Sequence, residues 1–116
     1  MKVSRISLSF VPVVTRVPLK FGDQTLTEVS CARVSIEVED KGCSVTGWAE
    51  TPLSVAWVWP STLGYRERED RLQEFCEKLR GDLESHLGKG HPLIIGHRYI
   101  EDRLHDRLGE ENSGRE

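Results

Sequence analysis

The spacing of apolar residues changes near residue 64, and that change constrains the fold more than any other feature of the chain. Before it, apolar and polar residues alternate. Ile6, Leu8 and Phe10 are interleaved with Arg5, Ser7 and Ser9, and Ala32, Val34, Ile36 and Val38 with Arg33, Ser35, Glu37 and Glu39. A period of two puts successive side chains on opposite faces of a strand. After it, Leu72, Phe75, Cys76, Leu79, Leu83 and Leu87 fall at the spacing of one helical face. Strands followed by helices predict an α+β fold, a three-stranded antiparallel β-meander and then a helical bundle, rather than an alternating α/β fold.

The predicted strands run from about Lys2 to Val14, Leu26 to Glu39 and Cys43 to Glu50. Pro12 lacks an N–H and marks the first as an edge strand or the place where it ends. Asp40-Lys41-Gly42 is a hairpin signal that pairs the second strand with the third. The first helix begins near Arg66 and stops at Gly88 or Gly90, with Gly81 weakening its middle. A second is expected from about Ile95 to Leu108, with Gly109 as its stop and residues 110–116 as a polar tail. The predicted organisation is one domain over 1–109: meander 1–50, Trp-rich loop 51–65 and helices 66–109. The helical stripes need an apolar partner, and the inner face of the meander is the one available.

Composition narrows the function. No apolar run approaches the roughly 20 residues of a membrane span. Residues 6–14 are broken by Ser7, Ser9 and Pro12 and are not followed by a cleavage site, so no secretory signal is expected. The net charge of −3 argues against a broad nucleic-acid footprint. Charge is concentrated in the helical part: residues 1–64 carry six basic and six acidic side chains, residues 65–116 ten and thirteen. Cys31, Cys43 and Cys76 form neither a CxxC pair nor an even set, which points to reduced thiols in a cytoplasmic protein.

Two connections stand out. Residues 16–25 combine Pro18, Lys20, Phe21 and Gly22. They read either as a surface connection with Phe21 tucked onto the sheet or as a flap offering Lys20 and Phe21 to a ligand. Residues 51–65 hold Trp57 and Trp59 between Pro52 and Pro60, with Trp48 just before them. So many indoles in an irregular segment imply a satellite core or a contact surface for another protein.

In combination these pieces resemble the N-terminal capping domain of the mandelate racemase/muconate lactonizing enzyme branch of the enolase superfamily. Arg16-Val17-Pro18-Leu19-Lys20-Phe21-Gly22 is similar to that family's Arg-x-Pro-(Phe or Leu)-x-Phe-Gly flap. Val29 to Val38, a Gly turn and Gly47-Trp48-Ala49-Glu50 are similar to its second and third strands ending in Gly-x-Gly-Glu, with Ala49 in place of the second Gly. The ordered set covers roughly residues 1–100. The resemblance implies an enolase N-terminal domain-like lid over a barrel. That barrel abstracts the proton α to a carboxylate and holds the enediolate with Mg²⁺. A chain of 116 residues cannot contain a (β/α)₈ barrel of about 250. No catalytic residue, metal ligand or cofactor is therefore expected in it. Lid contacts are expected from Lys20, Phe21 and Gly22, and by location from Thr51, Pro52, Trp57 and Trp59.

The expected partner is a barrel domain, with a small carboxylate substrate only in the complete enzyme. The alternative is a standalone interaction or self-associating module that uses the Trp-rich loop. His97, Glu101 and His105 share a predicted helix face. The outer two lie about 12 Å apart along the axis, and the flanking charges favour a solvated face over a metal site.

Overall fold

The alternating half of the chain folds as strands β1 (Lys2–Phe21), β2 (Gln24–Asp40) and β3 (Cys43–Pro52), in a sheet of order β1-β2-β3 with both pairings antiparallel. The computed structural model describes residues 1–55 and 62–113. The pairs Ile6↔Ile36↔Gly47 and Leu8↔Val34↔Ala49 align the apolar residues on one face. Lys41 and Gly42 close the β2–β3 hairpin at φ 49° and 80°. Positive φ at both central residues is the type I′ arrangement whose twist matches that of the strands.

The first connection differs from the expected loop over residues 16–25. Arg16–Phe21 belongs to β1, and Gln24 and Thr25 belong to β2, with Phe21 paired to Gln24 across a two-residue turn. Gly22 makes this possible by adopting φ 57°. The irregularity lies further back: between the pairs Val14↔Glu28 and Leu19↔Leu26, residues Thr15–Pro18 stand opposite Thr27 alone. The Thr15 hydroxyl donates to the carbonyls of Leu26 and Thr27 at 3.4 and 3.0 Å and ties down this bulge.

β1 is an edge strand, as Pro12 indicates. The Ile6 N–H points away from β2 and donates to Glu84 Oε2 at 2.9 Å. Alternation places the missing N–H of Pro12 on the same outer edge, where it removes no ladder bond.

The helical half comprises α1 (Tyr65–His86) and α2 (Pro92–Tyr99), followed by a π-helical segment (Ile100–Leu104) and α3 (His105–Ser113). The second helical stretch starts earlier than expected. Pro92 at its first turn has no N–H to leave unpaired, and His91 Nδ1 accepts the Leu93 N–H at 3.3 Å. It also runs through Gly109 to Ser113, past the expected stop. Ion pairs Arg107–Glu110 at 2.8 Å and Lys78–Glu111 at 3.0 Å hold its last turns.

α1 packs against β1, yet its apolar stripe is only half-buried. Among the described residues the buried side chains are Ile6, Val29, Cys31, Ala32, Leu53, Val55, Ile95 and Tyr99. The helices do not cover the whole inner face as expected, because every residue of β3 is exposed. The molecule measures 51 × 37 × 19 Å, about the thickness of one sheet and one helical layer. Its radius of gyration is 16.5 Å, against about 13 Å for a compact chain of this length. The excess reflects surface left uncovered.

Candidate functional site: a projecting ribbon and the end of the third strand

β3 pairs with Cys31–Asp40 only. Residues 12–21 and 24–30 of the first two strands therefore extend past it as a two-stranded ribbon. Val13, Val14, Val17 and Leu19 lie exposed on this ribbon, Val14 by 75% and Val17 by 64%. A two-stranded ribbon in water is marginally stable by itself. One carrying four exposed aliphatic side chains is suited to lie against another apolar surface.

Lys20 is exposed at the ribbon's end, paired with Thr25, and Gly22 forms the turn. Phe21 is the last residue of β1. Thr51 and Pro52 are not in a loop. They are the last residues of β3, exposed and paired with Ala32 and Cys31. The Leu53 N–H then donates to the Ser30 carbonyl at 2.8 Å, and the chain leaves the sheet toward buried Val55. Trp57 and Trp59 lie outside the described residues. The tip and the end of β3 emerge from the same end of the sheet. They are not in contact, since the seven residues from Gln24 to Cys31 span about 23 Å of strand. A ligand touching both would have to span that distance.

The strongest polar cluster lies elsewhere and was not anticipated from the sequence. Asp82 of α1 accepts Tyr99 Oη at 3.1 Å, Arg103 Nη2 at 2.7 Å and Arg107 Nη2 at 2.8 Å. Hydrogen bonds from Arg103 and then Arg107 hold its carboxyl well below the usual carboxylate range, although burial opposes them. Burial and the Asp82 hydrogen bond raise the Tyr99 hydroxyl to about 12. With its oxygens taken up by Tyr99, Arg103 and Arg107 and its proton affinity lowered, Asp82 is too weak a base for proton transfer near neutral pH. It clamps α1 to the second helical stretch. The signal was present as Tyr99, Arg103 and Arg107, each four residues from the next, but their common partner lies 17 to 25 residues away.

The other titratable groups singled out by the sequence lie apart from this cluster. Burial, and then Glu77, raise the Cys76 thiol, so it stays protonated; Cys31 is buried and Cys43 exposed. His97, Glu101 and His105 are all exposed. Among the described residues no three His, Cys, Asp or Glu side chains converge to hold a metal ion. Among the described residues, no helix is long and apolar enough to cross a membrane.

The fold and this site define an α+β domain with a projecting ribbon. No family model, no curated protein and no solved structure matches the chain.

Proposed function

We propose that this chain is a non-catalytic capping domain whose ribbon closes over a small carboxylate bound in a separate barrel domain of the mandelate racemase/muconate lactonizing type. The observation that carries the reading is the ribbon itself, with its exposed Val13, Val14, Val17 and Leu19 leading to Lys20 at the tip. The aliphatic side chains on one face of the ribbon would seat against the barrel's rim and exclude water. The Lys20 ammonium would face the carboxylate, an attraction strengthened once water is excluded. Proton abstraction, and the Mg²⁺ that supports it, belong to the barrel. Reduced thiols at Cys31, Cys43 and Cys76 are consistent with a cytoplasmic setting.

A photo-crosslinking residue placed at Val17 in cells tests this. The lid reading expects capture of a (β/α)₈-barrel polypeptide with a Lys or His base and acidic ligands at its strand ends. It also expects α-proton exchange of carboxylates by the isolated chain to stay at background. Capture of no barrel, or exchange by the chain alone, refutes it.

A second reading, a self-associating or protein-interaction module, is favoured by β3. Its edge is exposed along its whole length, with Trp48 71% and Val45 59% exposed. The two-residue hairpin sends the backbone groups of Ser44, Thr46, Trp48 and Glu50 outward. Such an edge is a template for another strand. Sedimentation of a strict monomer that retains no partner would refute this alternative.

A further inference from the structure

A cleft of about 470 Å³ lies at the opposite end of the sheet from the ribbon, between the β2–β3 turn and the segment joining α1 to α2. Lys2, Lys41 and Lys89 all line it. They come from three separate parts of the chain that backbone contacts hold together. Lys2 and Lys89 form a bridge, the Gly90 N–H donates to the Met1 carbonyl at 3.0 Å, and Lys41 sits in the hairpin turn. None of the three ammoniums makes an ion pair among the described residues. Of the two carboxylates lining the cleft, Asp40 already faces the Met1 amine at 3.7 Å, and Glu39 is the cross-strand neighbour of Lys2.

Three lysine ammoniums against two carboxylates leave a formal excess of one positive charge, on a chain whose side chains sum to −3. Lys41 also holds φ 49°, a conformation that costs a side-chain-bearing residue energy and that Gly or Asn would adopt more easily. Positive charge gathered in one cleft, on a chain of the opposite overall sign, is suited to hold an anion.

We propose that this cleft binds a phosphate monoester that also bears hydroxyl groups. The phosphate dianion would face the positive charge of Lys2, Lys41 and Lys89, since lysine meets phosphate as a point charge. The Glu39 carboxylate and Ser44 hydroxyl, both lining the cleft, would pair with the ligand's hydroxyl groups. The volume lies within the range of small-molecule sites. This site is independent of the ribbon and of the lid reading.

Glycerol 3-phosphate, inorganic phosphate and glycerol are the probes, titrated into the full chain at millimolar concentration and followed by amide NMR shifts. Glycerol 3-phosphate should shift the amides of Lys2, Lys41, Ser44 and Lys89. Its affinity should fall with added salt, and as pH drops through about 6, where the phosphate takes up its second proton. Lys41→Gly and Lys89→Gln should each weaken it by about two- to fivefold, the worth of an exposed ion pair. Lys41→Gly relieves the turn, so lost binding there cannot be ascribed to unfolding. Absence of binding, equal affinity for inorganic phosphate, equal shifts from glycerol, or unchanged affinity in both variants would overturn the proposal.

Discussion

Removing Asp82 tests whether one carboxylate fastens the helical half together. Asp82→Ala deletes the shared acceptor of Tyr99, Arg103 and Arg107 while leaving a good helix former in α1. The two guanidiniums are partly open to water, at 38% and 35% exposure, and can rehydrate. The Tyr99 hydroxyl has less freedom, because its residue is only 5% exposed. Leaving that donor unpaired, and losing a hydrogen bond to an ionised acceptor, costs about 2 kcal/mol. For a domain of this size that lowers the melting temperature by about 6–12 °C. Urea unfolding followed by circular dichroism gives the loss directly. A double-mutant cycle with Tyr99→Phe should return a coupling of about 1 kcal/mol. The clamp reading fails if Asp82→Ala changes stability by less than about 0.5 kcal/mol, the range of an ordinary surface substitution, or if the cycle is additive.

The same pair fixes the dependence on pH. The folded pKa of Asp82 is depressed, so its contribution is complete above the unfolded value, near pH 4, and is lost as pH falls below it. Tyr99 is raised to about 12, so its contribution is complete below its unfolded value, near pH 10, and is lost as pH rises from there to about 12. Wild-type stability should therefore fall at both extremes. In Asp82→Asn both slopes should flatten.

Three further outcomes follow from local geometry. Gly81 lies inside α1 with nothing within 4 Å of the position a Cβ would take, so Gly81→Ala should stabilise the protein by about 0.5–1 kcal/mol in thermal or urea unfolding. Lys41→Gly should stabilise by about 1 kcal/mol, because Gly42 already takes positive φ and the new residue suits φ 49°; a loss would refute the strain assigned to that turn. Glu84→Ala should cost about 1 kcal/mol and, more specifically, speed hydrogen exchange of the Ile6 amide relative to its neighbours in β1.

Alternation in residues 2–14 and 26–50 and the helical spacing after residue 65 are properties of neighbouring residues. They determine the order of strands and helices, the meander and the Lys41-Gly42 turn without reference to any tertiary contact. Local signals mark the segment 16–25 as a loop because Pro18 and Gly22 are turn formers wherever they occur. Only the pairing of Leu19 with Leu26 and Phe21 with Gln24 makes most of that segment strand. The extension of the second helical stretch through Gly109 depends likewise on distant carboxylates and cations, not on the glycine.

Which surfaces are covered was settled only in three dimensions. The sequence offers β3 an apolar face like that of its neighbours, yet α1 lies on β1, where Glu84 meets the Ile6 N–H, and β3 stays exposed. The Asp82 clamp and the three-lysine cleft likewise join side chains from distant parts of the chain. Local periodicity is inherited from the order of residues, whereas burial, charge pairing and strain arise when separate segments compete for the same space.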